Sequence, residues 1–131
     1  MTLTAIIEKA QNGGISIRAE EPNGLFAYGL TLEEAKQEFI EVLEEQAEYY
    51  EEIHGCAPDW KDAQIDYVYD ISGFFEAFPF INISAFATAV GLNPSLMRKY
   101  KGGIVIAGEK QRRIIQDGYN RILSNMREVK F

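Results

Sequence analysis

The feature that most limits how this chain can fold is the stretch from Thr31 to His54. In it Leu32, Ala35, Phe39, Val42, Leu43, Ala47 and Tyr50 recur at intervals of three and four. On an α-helix those positions form a single stripe, and Glu33, Glu38, Glu41, Glu44, Glu45, Glu48 and Glu51 fall outside it. A helix with one apolar stripe gains its stability by laying that stripe on another element. Thr31 and Glu34 have capping-box spacing, in which a hydroxyl and a carboxylate each satisfy an exposed backbone amide. His54-Gly55 provides the stop, because glycine enters the left-handed conformation that ends helices.

The surface for the stripe to cover is written on either side of it. Leu3 to Glu8 is strand-like and runs into Asn12-Gly13-Gly14, a hairpin turn signal. Ile15 to Ala19 alternates apolar and polar, Glu21-Pro22-Asn23-Gly24 turns the chain, and Leu25 to Gly29 makes a third strand. After the loop Ala57-Pro58-Asp59, alternation returns in Ile65 to Tyr69. The expected first domain is therefore a β-β-β-α-β unit over residues 1–70, with the helix on one sheet face.

After Asp70 the pattern changes to short helical pieces: an aromatic turn at Ser72 to Phe78, then Ile83 to Val90, Pro94 to Tyr100 and Glu109 to Met126. The last carries Ile114, Ile115, Tyr119, Ile122, Leu123 and Met126 on one face. The fold class expected is α+β, with residues 71–131 forming a small all-α domain.

Charge divides at the same place. Residues 1–70 hold four Lys/Arg and sixteen Asp/Glu, a net −12, while residues 71–131 hold nine and four, a net +5. Such asymmetry predicts two surfaces with different clients, a basic one for phosphates and an acidic one for a basic partner. No apolar run approaches the roughly 18 residues of a membrane span. The first residues lack the layout of a signal peptide, so a cytoplasmic location without a membrane partner is expected. The single cysteine, Cys56, cannot close an intramolecular disulfide, and with His54 the sole histidine a zinc site would have to draw on carboxylates. Neither a metal nor another cofactor is expected.

The segment Ile83 to Tyr100 meets the steric requirements of a helix-turn-helix. Ala87 is small where a second helix must cross the first, and Gly91 supplies the positive φ of a sharp turn. Phe86, Val90, Leu92, Met97 and Tyr100 are placed to fill the wedge, and Asn93 followed by Pro94 fixes the start of the second helix. In this motif the opening turn of the second helix meets base edges, so Asn93, Ser95, Arg98 and Lys99 are the expected readers. Lys101, Arg112 and Arg113 suit phosphates. The plain alternative is a helical hairpin whose cations form a solvated face.

The opening Ala5-Ile6-Ile7-Glu8-Lys9, the Pro-containing turn, and Gly29-Leu30-Thr31-Leu32-Glu33-Glu34-Ala35 entering a long helix resemble the HicB family of type II antitoxins. The resemblance implies a trimmed ribonuclease H-like N-terminal domain that lacks catalytic carboxylates and neutralises a small basic RNA-cleaving toxin. It further implies a C-terminal DNA-binding domain that represses its own operon. Asn82 to Tyr119 also looks like the helix-turn-helix tail of such proteins. The family often has Pro-Asp-Leu-Pro-Gly-Cys where this chain has Glu20-Glu21-Pro22-Asn23-Gly24-Leu25.

Under this reading Glu33, Glu38, Glu41 and Glu45 are the expected partner-binding residues. A homodimer or higher oligomer is expected, because half-sites about 34 Å apart need two copies. Enzymatic activity is not expected: the strands offer only Glu8, Asp66 and Asp70 as carboxylates, and His54 and Cys56 sit beyond a helix end. Phe74, Phe75, Phe78 and Phe80 read as core or dimer packing, since no cation lies among them. The alternatives are an orphan transcriptional regulator and a protein-interaction module that never touches DNA.

Overall fold

Alternation in Thr2–Lys9 becomes strand β1, which buries Leu3, Ala5 and Ile7 on one side and turns Thr4, Ile6 and Glu8 to the other. In the computed structural model, which describes residues 1–131, β2 (Ile15–Ala19) pairs antiparallel with β1. Strand β3 (Phe26–Gly29) pairs antiparallel with β2. Strand β4 (Gln64–Tyr69) joins the far side of β1 in parallel, giving the order β3-β2-β1-β4. The register aligns like with like: Ile7 faces Ile17, Ile17 faces Ala27, and Ala5 faces Tyr67.

Helix α1 (Leu32–His54) lies on the face these residues share. Ala35, Phe39, Leu43 and Ala47 of the stripe are buried, and Leu32 and Val42 pack at its margin. Thr31 caps it as expected, its Oγ1 accepting from the Glu34 amide at 3.2 Å, and Gly55 closes it in the left-handed conformation. The return half of the capping box is shifted by one residue. The Glu34 carboxylate accepts from the Leu30 amide at 3.1 Å, not from the Thr31 amide.

Two compact units result, Met1–Ala77 and Phe78–Phe131. The boundary thus falls after Ala77 and not after Asp70. Helix α2 (Ile71–Ala77) belongs to the first unit because it is bonded to the end of β1. The Asp70 amide donates to the Ile7 carbonyl at 2.9 Å, and the Lys9 amide donates to Ser72 Oγ at 3.2 Å. Ser72 Oγ also bonds the Asp70 carboxylate, and Phe75 is buried. This boundary sharpens the charge division: the first unit holds four Lys/Arg against seventeen Asp/Glu, net −13, and the second nine against three, net +6.

The second unit consists of α3 (Ile83–Val90), α4 (Pro94–Lys101) and α5 (Glu109–Met126). No helix of the chain is long and apolar enough to cross a membrane.

Gly73 carries the contact between α2 and β1, since a Cβ there would stand 2.2 Å from the Ile7 carbonyl oxygen. Backbone on both sides cannot give way, so Gly73→Ala is expected to cost roughly 1–3 kcal/mol, the range of overpacking. Urea denaturation followed by tyrosine fluorescence measures this, and an unchanged midpoint would refute the contact.

Candidate functional site

The second unit is built around a close crossing. Ala87 is fully buried, as are Val90, Met97 and Tyr100 to within a few per cent, and Phe86 and Leu92 are half-buried beside them. Gly91 ends α3 at φ +91°, and its amide donates to the Ala87 carbonyl at 3.0 Å and the Thr88 carbonyl at 3.2 Å. The Leu92 amide donates to the Ala87 carbonyl at 2.8 Å. A residue with a Cβ is strained at that φ, so the sharp reversal between the helices depends on glycine.

Both helices of the crossing begin on an asparagine. Asn82 Oδ1 accepts from the Ala85 amide at 2.8 Å, and Asn93 Oδ1 accepts from the amides of Ser95 at 2.8 Å and Leu96 at 3.4 Å. Asn93 is therefore the helix cap, and its side-chain oxygen is committed. A bidentate contact to adenine requires the amide oxygen and nitrogen together, so only the nitrogen remains for a base edge.

Met97 and Tyr100 are buried three residues apart on α4, so Arg98 and Lys99 between them face solvent. Arg98 is held in place: one guanidinium nitrogen donates to Ser84 Oγ at 3.0 Å and the other to Ser95 Oγ at 3.3 Å. The guanidinium thus spans the starts of α3 and α4. Nothing in the sequence spacing singled out Ser84, because its role exists only once the helices cross.

Lys99 and Arg112 are exposed and make no ion pair, and Lys101 is half-buried, also without one. Arg113 differs. It pairs with Glu109 at 3.1 Å on the surface of α5, which offsets its charge locally. The predicted cations thus share one small unit, in which Lys99 and Arg112 are exposed without a partner and Arg98 is exposed but held by two serine hydroxyls.

Helix α5 meets α3 through Gly118, its one buried residue, where a Cβ would lie 2.5 Å from Val90 Cβ. Arg121 adds a bond from its guanidinium to the Ala89 carbonyl at 3.2 Å. An isolated glycine in a helical pattern signals such close approach, and this was the available hint. The apolar face of α5 is only partly covered: Ile115 and Ile122 are half-buried, Tyr119 is exposed, and Met126 is 62% exposed.

On the first unit, Glu33, Glu38 and Glu41 line an open groove along α1 with Glu34 and Gln37, whereas Glu45 lies outside it. Glu38 is engaged, its Oε2 accepting from the Tyr28 amide at 2.8 Å, and Glu41 accepts from Gln37 Nε2 at 3.3 Å. His54 packs against Tyr50 with ring centroids 4.2 Å apart, and Cys56 is exposed. The Tyr67 hydroxyl is pushed above its ordinary pKa, first by burial and then by Tyr69 beside it, and the Lys36 ammonium sits 4.5 Å over its ring.

Comparison of the chain with protein-family models, characterised proteins and solved structures finds no match.

Removal of the Asn93 cap leaves two amides at the start of α4 unbonded. Asn93→Ala is expected to destabilise the second unit by about 1 kcal/mol, and Asn93→Ser, which restores an acceptor, by a few tenths at most. Thermal unfolding of the two variants side by side checks this, and equal losses would show that the cap bonds contribute nothing.

Proposed function

We propose that this protein is a HicB-like antitoxin and autorepressor. The second unit docks α4 in the major groove of operator DNA, and the first unit, a trimmed ribonuclease H-like domain, binds and blocks a small basic RNA-cleaving protein. The observation that carries the reading is the α3–α4 crossing. It turns a cationic, solvent-facing edge outward from a unit of net +6, within a chain whose remainder is net −13. Phosphate contacts supply affinity and orientation, and base contacts supply sequence preference.

The roles divide by geometry. Arg98, Ser95 and Lys99 on the exposed start of α4 read base edges, with Ser84 setting the Arg98 rotamer. Arg112, Lys101 and, more weakly, Arg113 meet phosphates. Asn93 fixes the start of the reading helix. A single α4 reads few base pairs, so two copies act together on half-sites about 34 Å apart. The partly uncovered face of α5 is the proposed dimer surface. The β-β-β-α-β order of the first unit and the glutamates Glu33, Glu38, Glu41 and Glu45 along α1 support the acidic, toxin-binding role.

Fluorescence anisotropy with the DNA immediately upstream of the gene, over a series of salt concentrations, tests the assignment. Arg98→Ala is expected to lose roughly 1–3 kcal/mol on that DNA and to discriminate poorly against scrambled DNA. Arg112→Ala is expected to weaken all sequences alike and reduce the salt slope by about 1. Identical losses for both variants on every duplex would reject the division of roles, and no binding by the unaltered chain would reject the repressor.

A further inference from the structure

The two edges of the sheet are treated differently. Along β3 the outward amides belong to Phe26 and Tyr28, and helix α1 supplies a carboxylate to the second: Glu38 accepts from Tyr28 at 2.8 Å, and Glu34 accepts from Leu30, just beyond the strand, at 3.1 Å. With Tyr28 and Leu30 spent, only the Phe26 amide is left, and another strand cannot run along this edge without displacing α1 side chains.

At the opposite edge, the bonds flanking β4 fix which amides point inward. The Gln64 amide donates to the Met1 carbonyl at 3.1 Å and the Asp70 amide to the Ile7 carbonyl at 2.9 Å. In a parallel ladder donors to one neighbour come from every second residue, so Asp66 and Val68 also donate to β1. The amides of Ile65 and Tyr67 are left facing outward, with no acceptor from the fold.

We propose that β4 is a docking edge, and that its occupant is an extended segment of a cationic protein that adds as a fifth strand. This deepens the partner-binding role proposed for the first unit and rests on it. Strand addition draws affinity from backbone bonds and specificity from alternate side chains. On the helix side the added segment meets the half-buried Ile65 and Tyr67, and on the open side it meets exposed Asp66 and Val68. The fitting sequence therefore alternates apolar residues with Lys or Arg. Asp62 and Asp70 bracket the strand, and although Lys36 and Lys61 lie nearby, the unit as a whole is net −13. That charge disfavours a second copy of this edge and favours a cationic segment.

The experiment is residue-resolved amide exchange on the full chain, with a capped octapeptide of alternating lysine and valine as the probe and its glutamate–valine counterpart as the control. The lysine peptide is expected to slow exchange at Ile65 and Tyr67 by roughly an order of magnitude and the glutamate peptide to do nothing. Tyr67→Pro removes an outward donor that the ladder does not use, as proline permits at an edge. It is expected to abolish the response while the inward amides of Asp66 and Val68 stay protected. Asp66→Lys, a substitution on the open face, is expected to weaken the response several-fold, and an unchanged response there would overturn the charge requirement.

Protection along α1 with Ile65 and Tyr67 unchanged would overturn the edge and leave a cationic partner standing. Protection of Ile65 and Tyr67 without peptide that rises with protein concentration would assign the edge to a second copy and overturn the proposal. No response anywhere in Met1–Ala77 would overturn both the edge and the basic-partner reading.

Discussion

The contact at Ala87 governs the rest of the second unit. Gly91 in the left-handed conformation closes α3, with the Leu92 amide on the Ala87 carbonyl, and the small side chain of fully buried Ala87 leaves room for α4 to pack close against α3. Burial of Met97 and Tyr100 follows from that approach, and the exposure of Arg98 and Lys99 follows from the burial, because a helix that turns residues 97 and 100 inward must turn 98 and 99 outward. A larger residue at position 87 would cost roughly 1–3 kcal/mol in overpacking and would splay the wedge. The cationic edge is thus a consequence of core packing. Its fixed geometry comes from the same source, since the Ser84 and Ser95 hydroxyls that hold the Arg98 guanidinium stand on the two crossing helices.

Charge segregation gives the two units opposite preferences. On the proposed reading the acidic first unit takes a basic protein and the basic second unit takes a duplex, so the two do not compete for the same surface. Such fields act over roughly 8–10 Å at ordinary ionic strength, which makes local placement more important than the net value. Two of the α1 carboxylates, Glu34 and Glu38, also serve the fold by bonding backbone amides at and beyond β3. An acidic helix face that reads as simply solvated in sequence is here partly structural.

Elements governed by local chemistry were legible in the sequence. The stripe from Leu32 to Tyr50, the Thr31 cap, the Gly55 stop and the alternation of three of the strands place α1 and the sheet with little error, because periodicity and capping are properties of neighbouring residues. The crossing at Ala87 and Gly91 was legible for the same reason, being contained within eighteen residues from Ile83 to Tyr100. What escaped depends on residues far apart in the chain. Ser72 and Gly73 join α2 to the end of β1 over a separation of more than sixty residues, so the change to short helical pieces after Asp70 set the expected boundary seven residues before the first compact unit ends at Ala77. Ser84 under Arg98, Gly118 against Val90 and the Arg121 bond to Ala89 likewise acquire meaning only from packing.

The most direct test of the central claim, that the α3–α4 crossing presents a duplex-binding edge, is an amide chemical-shift titration of the full chain with the upstream duplex. The account predicts that shifts concentrate at Ser84, Ser95, Arg98 and Lys99, extend to Arg112, and leave the amides of α1 unmoved. Shifts confined to the first unit, or absent from the start of α4 while the duplex is bound, would contradict it.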